Sequence, residues 1–184
     1  MAIIIANVIV YMAVLISGKS DQFIYYLGLI PHYFANRPWT IFTSMFIHIG
    51  FWHIFGNMIT LFFFGSFLSK LVGNGKFLLV YLIGGIAGNA LYLLLGQDLT
   101  PVIGASGAVY AIAGALAVMM PKLSVRLYFL IPVPLWVVVL VFFGIWSIPN
   151  LIPGIAWQDH LGGIAVGLIA GFIFRKRVRY DFYR

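Results

Sequence analysis

Six stretches of this chain approach the length and apolarity of a membrane-crossing helix, at roughly 2–17, 50–69, 77–96, 105–120, 127–148 and 158–174. Crossing a hydrocarbon core takes about 20 mostly apolar residues in helical form, because a backbone without water must satisfy its own hydrogen bonds. The pattern predicts an all-α membrane protein with a short fourth span, folded as a single domain over 1–184 and ending in a basic tail at 175–184. Charged residues make up 8% of the chain and hydrophobic residues 63%, where soluble domains carry about a quarter charged. Residues 2–17 lack the charged start and small-residue cleavage site of a secretory leader, so they are read as a span. No second domain and no internal repeat is expected.

The net charge of +7 is informative through its placement. Lys70, Lys76, Lys122, Arg126, Arg175, Lys176, Arg177, Arg179 and Arg184 fall on one side of the predicted membrane, and Lys19 and Arg37 on the other. The positive-inside rule then puts both termini in the cytoplasm. The tail "RKRVRYDFYR" reads as an orientation signal and a contact for lipid headgroups, not as a nucleic-acid surface. The connection between the first two spans is rich in Tyr and Trp and is expected at the membrane interface. The chain contains no cysteine, which removes disulfides, thiolate nucleophiles and cysteine metal sites.

Polar side chains inside such spans are costly and mark candidate sites. Three groups lie near the outer ends of spans. The second span opens with His48, His53 and Asn57 in the pattern H-x4-H-x3-N, and the last two share a helix face. The fourth span opens with "GASGAVY", which holds Gly104, Ser106 and Tyr110. The sixth opens with His160, followed by Gly163 and Gly167. Small residues at four-residue spacing let helices approach closely in lipid, and Gly107, Ala111 and Gly114 form a matching stripe on the fourth span. Packing of the fourth span on the sixth would bring Ser106 to His160.

A serine attacks well only when a neighbouring base takes its proton, and a neutral imidazole is the usual base. Ser106 and His160 are therefore a candidate dyad. The Ser106 N–H, the Asn57 amide and a His53 ring nitrogen are candidate donors to the oxyanion of an acyl-transfer intermediate. The chain has no Glu and four Asp. Asp159 adjoins His160, but successive helical residues point about 100° apart, so it is not expected to hold that ring. Tyr110 could orient the imidazole by stacking.

Each residue also has a plainer reading. A serine at a helix start is ordinarily an N-cap, Tyr110 fits a core aromatic, and the three histidines fit interfacial residues. His48 and His53 lack the i, i+4 register of a helical zinc pair, and no H-E-x-x-H motif is present, so no metal is expected. A transporter or channel would need polar residues continuing toward the cytoplasmic side, or paired halves; neither is seen.

Taken together, the three motifs resemble those of the rhomboid intramembrane serine proteases. The likeness covers the six-span order and is sharpest at His48, His53 and Asn57, at Gly104 to Tyr110, and at the H-x-x-G of His160. The resemblance implies a six-helix bundle with Ser106 as nucleophile and His160 as general base and acid. It implies His53, Asn57 and the Ser106 N–H as the oxyanion hole, Tyr110 as the ring against which His160 stacks, and no cofactor. Implied partners are transmembrane protein substrates and membrane lipid, and the location expected is the cell membrane of a prokaryote with the site open to the outer face. A catalytically dead relative would have lost Ser106 or His160, and both are present. Two positions depart from the family pattern. Ser69 stands where F-G-x-x-L-E has Glu, and Trp39 is followed by Thr40 where Trp-Arg is common. The fifth span and the loop "SIPNLIPGIAWQD" are the expected mobile elements over the site.

Overall fold

The computed structural model describes residues 1–127, 131–145, 147–149, 151–152 and 154–181. The first helix, α1 (Ala2–Ser17), stops at Gly18, whose φ of 63° lets its N–H turn back to the Leu15 carbonyl, the usual left-handed exit for glycine. The aromatic connection that follows folds into α2 (Ser20–Leu27), a 3₁₀ turn over Pro31–Asn36 and α3 (Thr40–Thr43).

Polar bonds fasten this connection. The guanidinium of buried Arg37 lies 3.9 Å from the Tyr25 ring centroid and 4.4 Å from that of Tyr33, and it donates to the Tyr25 carbonyl. Such cation–π stacking suits an arginine taken out of water. Trp39 Nε1 donates to the Tyr26 carbonyl at 3.0 Å. Asn89, reaching across from a later helix, donates to the Ile41 carbonyl and to Ser44 Oγ at 2.8 and 2.9 Å. These are the contacts that hold the loop around Trp39 and Thr40.

The second span is continuous from Phe51 to Val72. It consists of α4 (Phe51–Thr60), a π turn over Leu61–Gly65 and α5 (Ser66–Val72). At its end Ser69 Oγ donates to Asn74 Oδ1 at 2.6 Å. The chain then runs through α6 (Asn74–Leu95), α7 (Ser106–Met119), a hairpin of β1 (Ser124–Leu127) and β2 (Ile131–Pro134), α8 (Leu135–Val138) with a π turn over Val139–Phe143, and α9 (Trp157–Asp181).

The central helix is α7, buried from Gly107 through Leu116. Close backbone approach explains how it can be enclosed. A Cβ on Gly163 would collide with the Gly107 carbonyl, one on Gly167 with the Ala111 carbonyl, and one on Gly84 with the Ala111 side chain. Helices α6, α7 and α9 thus meet where glycine removes the side chain, the device that serves in lipid where apolar burial gives no preference between protein and tails. The outward face carries exposed Ile9, Ile16, Phe63, Leu140 and Ile169. A surface this apolar belongs in a bilayer.

Three helices among the described residues are long and apolar enough to cross a membrane: Phe51–Val72, Asn74–Leu95 and Trp157–Arg175. Ala2–Ser17 and Ser106–Met119 are apolar but shorter. The fifth expected span is corrected. Leu127 and Ile131–Pro134 are strand and not helix, because β1 and β2 pair antiparallel from Ser124↔Pro134 to Leu127↔Ile131, so the described helix begins only at Leu135 and the fold is mostly, not entirely, α. Pro132 and Pro134 give the reason: proline lacks the N–H that a helix interior needs and disfavours helical backbone at the residue before it. The last helix, α9, continues through Asp181 and so includes much of the basic run that starts at Arg175. Of the bulky residues expected in the fifth span, Trp146 and the Phe142 side chain lie outside the described residues, while Trp136 is half exposed.

Candidate active site

The loop before α7 positions its first residue. Leu29 and Val102 exchange backbone hydrogen bonds of 3.1 and 2.8 Å, and the Gly104 N–H donates to the Ser44 carbonyl at 2.9 Å. Gly104 has φ +110°, a conformation side chains rarely adopt, and a Cβ there would lie 2.5 Å from His53 Nε2. Only glycine fits both conditions. The next N–H, of Ala105, donates to His48 Nε2 at 3.2 Å. His48 is fully buried, and burial, helped by the neighbouring His53, pushes its pKa down from 6.5 to about 3, against an interaction of the ring with the Phe46 backbone that raises it. A neutral ring is what an Nε2 acceptor requires. His48 therefore anchors the loop, with its ring centroid 4.9 Å from that of His53.

Ser106 is the first residue of α7, and the N-cap is Ala105, which makes no side-chain cap. The plain N-cap reading of Ser106 therefore fails. Its hydroxyl instead crosses to another helix and donates to Asp159 Oδ2 at 2.9 Å. His160, buried, stacks on Tyr110 with ring centroids 4.0 Å apart and planes 14° from parallel. Tyr110 also meets Phe143 edge to face at 4.7 Å. On α4, Asn57 Nδ2 donates to the His53 carbonyl one turn back at 2.9 Å. An amide has two such hydrogens, and Asn57 also lines the cavity.

His53, Asn57, Ser106, Tyr110 and His160 all line one cavity of about 920 Å³. Its walls are otherwise largely apolar, with Trp52, Phe63, Phe64, Val138 and Phe143. Phe64 and Phe143 stack at 6.3 Å and come from the two π turns, irregularities that often occur at functional sites. Gly154, Ile155 and Ala156, from the loop before α9, complete the lining. Gly104 and His48 stand behind the site, and Gly107, Gly163 and Gly167 lie at the α7–α9 contact.

The residue that sequence reasoning did not place is Asp159. Its position in the chain speaks only to the adjacent His160, whereas its carboxylate meets Ser106 and Gly107 of α7. A Cβ on Gly88 or on Gly107 would meet its Oδ1. The available signal was a carboxylate within an apolar helix, which is expensive unless it is paired.

A family model described as Rhomboid domain matches residues 35–177. The mitochondrial RHOMBOID-like protein 12 of Arabidopsis thaliana is 31% identical over 195 residues, covering 96% of this chain and 58% of the relative. The mitochondrial Rhomboid protein 1 of Saccharomyces cerevisiae is 30% identical over 173 residues, covering 87% of this chain and 49% of the relative. Rhomboid protease GluP of Bacillus subtilis is 30% identical over 132 residues, covering 72% and 25%. The chain spans about half the length of the first two of these relatives and a quarter of the third. Two of the three are mitochondrial by name, so these matches give no support to a prokaryotic cell membrane as the location.

Proposed function

The chain belongs to the rhomboid family, and on that premise we propose that it is an intramembrane serine endopeptidase acting on transmembrane proteins. The observation that carries this reading is the convergence of Ser106, His160, His53 and Asn57, from three separate helices, on one cavity. The name of the Bacillus relative, a rhomboid protease, points the same way.

In the proposed reaction Ser106 Oγ attacks the scissile carbonyl carbon while His160 takes the hydroxyl proton. The carbonyl oxygen becomes an oxyanion held by the Ser106 N–H, the second Asn57 amide hydrogen and His53. Donors fixed in advance around developing charge are the largest single contribution in many acyl transfers. The C–N bond then breaks as His160 returns the proton to the leaving amine. The resulting acyl-enzyme is hydrolysed by water, with His160 again the base. Tyr110 keeps the imidazole plane facing the serine throughout.

Six membrane crossings are part of the proposal. The 14 residues of α7 rise about 21 Å at 1.5 Å per residue, less than the ~30 Å hydrocarbon core. With its C-terminal end at the cytoplasmic face, Ser106 would sit below the outer surface at a depth where a transmembrane substrate can be cut. The cavity would supply water there.

The test is cleavage of a generic single-span substrate in liposomes by the purified protein and by Ser106→Ala, with products identified by mass. Products from the parent and none from Ser106→Ala are expected. Equal cleavage by both would remove Ser106 as the nucleophile.

A further inference from the structure

The His160 imidazole is set by the ring on which it stacks, with centroids 4.0 Å apart and planes 14° from parallel. Contact between flat ring faces fixes their spacing but little of their motion in the plane, because the attraction is spread over both faces. The imidazole is therefore placed no better than Tyr110 is. Tyr110 lies on the buried helix α7, and two side chains from beyond α8 fasten it. Phe143 meets its ring edge to face at 4.7 Å and is braced in turn by the Phe64 ring at 6.3 Å. The Ser147 side chain interacts with the Tyr110 hydroxyl.

Ser147 is buried and is not among the residues that line the cavity. Its Oγ donates to the Phe143 carbonyl at 2.9 Å, so the hydroxyl is held one turn along from the Phe143 ring. A serine oxygen whose one proton is engaged in this way keeps two lone pairs, and the Tyr110 O–H is a donor suited to one of them. From this geometry we propose that Ser147 is a positioning residue for the reaction, acting through the Tyr110 hydroxyl to hold the ring that sets the plane of the His160 imidazole. The proposal rests on the assignment of Ser106 and His160 above. Ser147 acts on the plane of the imidazole, not on any hydrogen bond the imidazole makes. It does not meet the cavity, so its loss should lower kcat on a membrane substrate and leave KM unchanged.

A fluorophosphonate probe, which reacts directly with an activated serine, reads the step through its rate of labelling at Ser106. Tyr110→Phe keeps the ring and removes only the hydroxyl, while Ser147→Ala removes its partner. Each is expected to slow labelling by about fivefold, the factor that corresponds to one net hydrogen bond. Both substitutions break the same contact, so the double variant should be no slower than either single one. Ser147→Thr, which keeps the hydroxyl, should label at close to the parent rate.

A merely structural serine would act independently of Tyr110, and the double variant would then be slower by about the product of the two factors. That result, or labelling of Ser147→Ala as fast as the parent, would overturn the proposal and leave the nucleophile assignment standing. If the probe labels the parent no faster than Ser106→Ala, the nucleophile assignment falls and Ser147 with it. Where Ser147→Ala does not fold, Ser147→Cys, similar in size and a weak hydrogen-bonding group, takes its place in the cycle. Loss of fold in both would reduce Ser147 to a structural contact.

Discussion

His48 shows how much one buried side chain sets at the residue scale. It accepts from the Ala105 N–H one residue before Ser106, so it fixes the start of α7 without touching the cavity. Its folded pKa of about 3 lies below the unfolded value of 6.5, so folding favours the neutral ring. That contribution is complete above pH ~6.5 and is lost as pH falls from there toward 3. The melting temperature of the parent in detergent should drop more steeply between pH 7 and 4.5 than that of His48→Gln, which keeps an acceptor and does not titrate. The difference has a ceiling of about 1.4 kcal/mol per pH unit. Equal slopes would show that some other group carries the acid sensitivity. Motif spacing made His48 a candidate, but its task was hidden, because the acceptor's partner lies 57 positions away.

At the scale of elements, the α7–α9 contact does most to place the site. Gly163 faces the Gly107 carbonyl and Gly167 the Ala111 carbonyl, each too closely for a methyl group. Gly163 lies three residues after His160 and Gly107 directly follows Ser106, so the same contact sets the distance between candidate base and nucleophile. Gly163→Ala should force the helices apart at a cost of about 1–3 kcal/mol and slow fluorophosphonate labelling of Ser106. An unchanged melting temperature and labelling rate would show that the contact is looser than drawn. The small-residue stripes were legible in the sequence because they depend on composition at helical spacing alone. The hairpin β1–β2 was not, since hydropathy treats residues 127–134 as apolar whatever backbone they adopt. Proline and strand pairing made that choice.

Sidedness belongs to the whole molecule. The charge distribution predicts that Lys19 lies on the outer face and Lys122 on the cytoplasmic face, and both are exposed. The chain has no cysteine, so single substitutions can be read without background. In sealed vesicles of defined orientation, a membrane-impermeant maleimide should label Lys19→Cys from one side and Lys122→Cys from the other. Labelling of both from the same side would overturn the six-crossing topology and the outward opening of the cavity. The large exposed apolar residues on the outer surface fit a body wrapped by lipid, with its polar groups turned inward toward one cavity.

The sequence by itself determined the membrane character, the approximate helices and the residue types at their outer ends, because hydropathy and helical spacing are properties of neighbours along the chain. It also supplied the motifs that carry the family likeness. Tertiary structure alone decided that the Ser106 hydroxyl meets Asp159. The acceptor is 53 residues away, and which oxygen a hydroxyl meets depends on how closely three helices approach. That distance is fixed by glycine contacts between helices, which no periodicity within a single segment encodes.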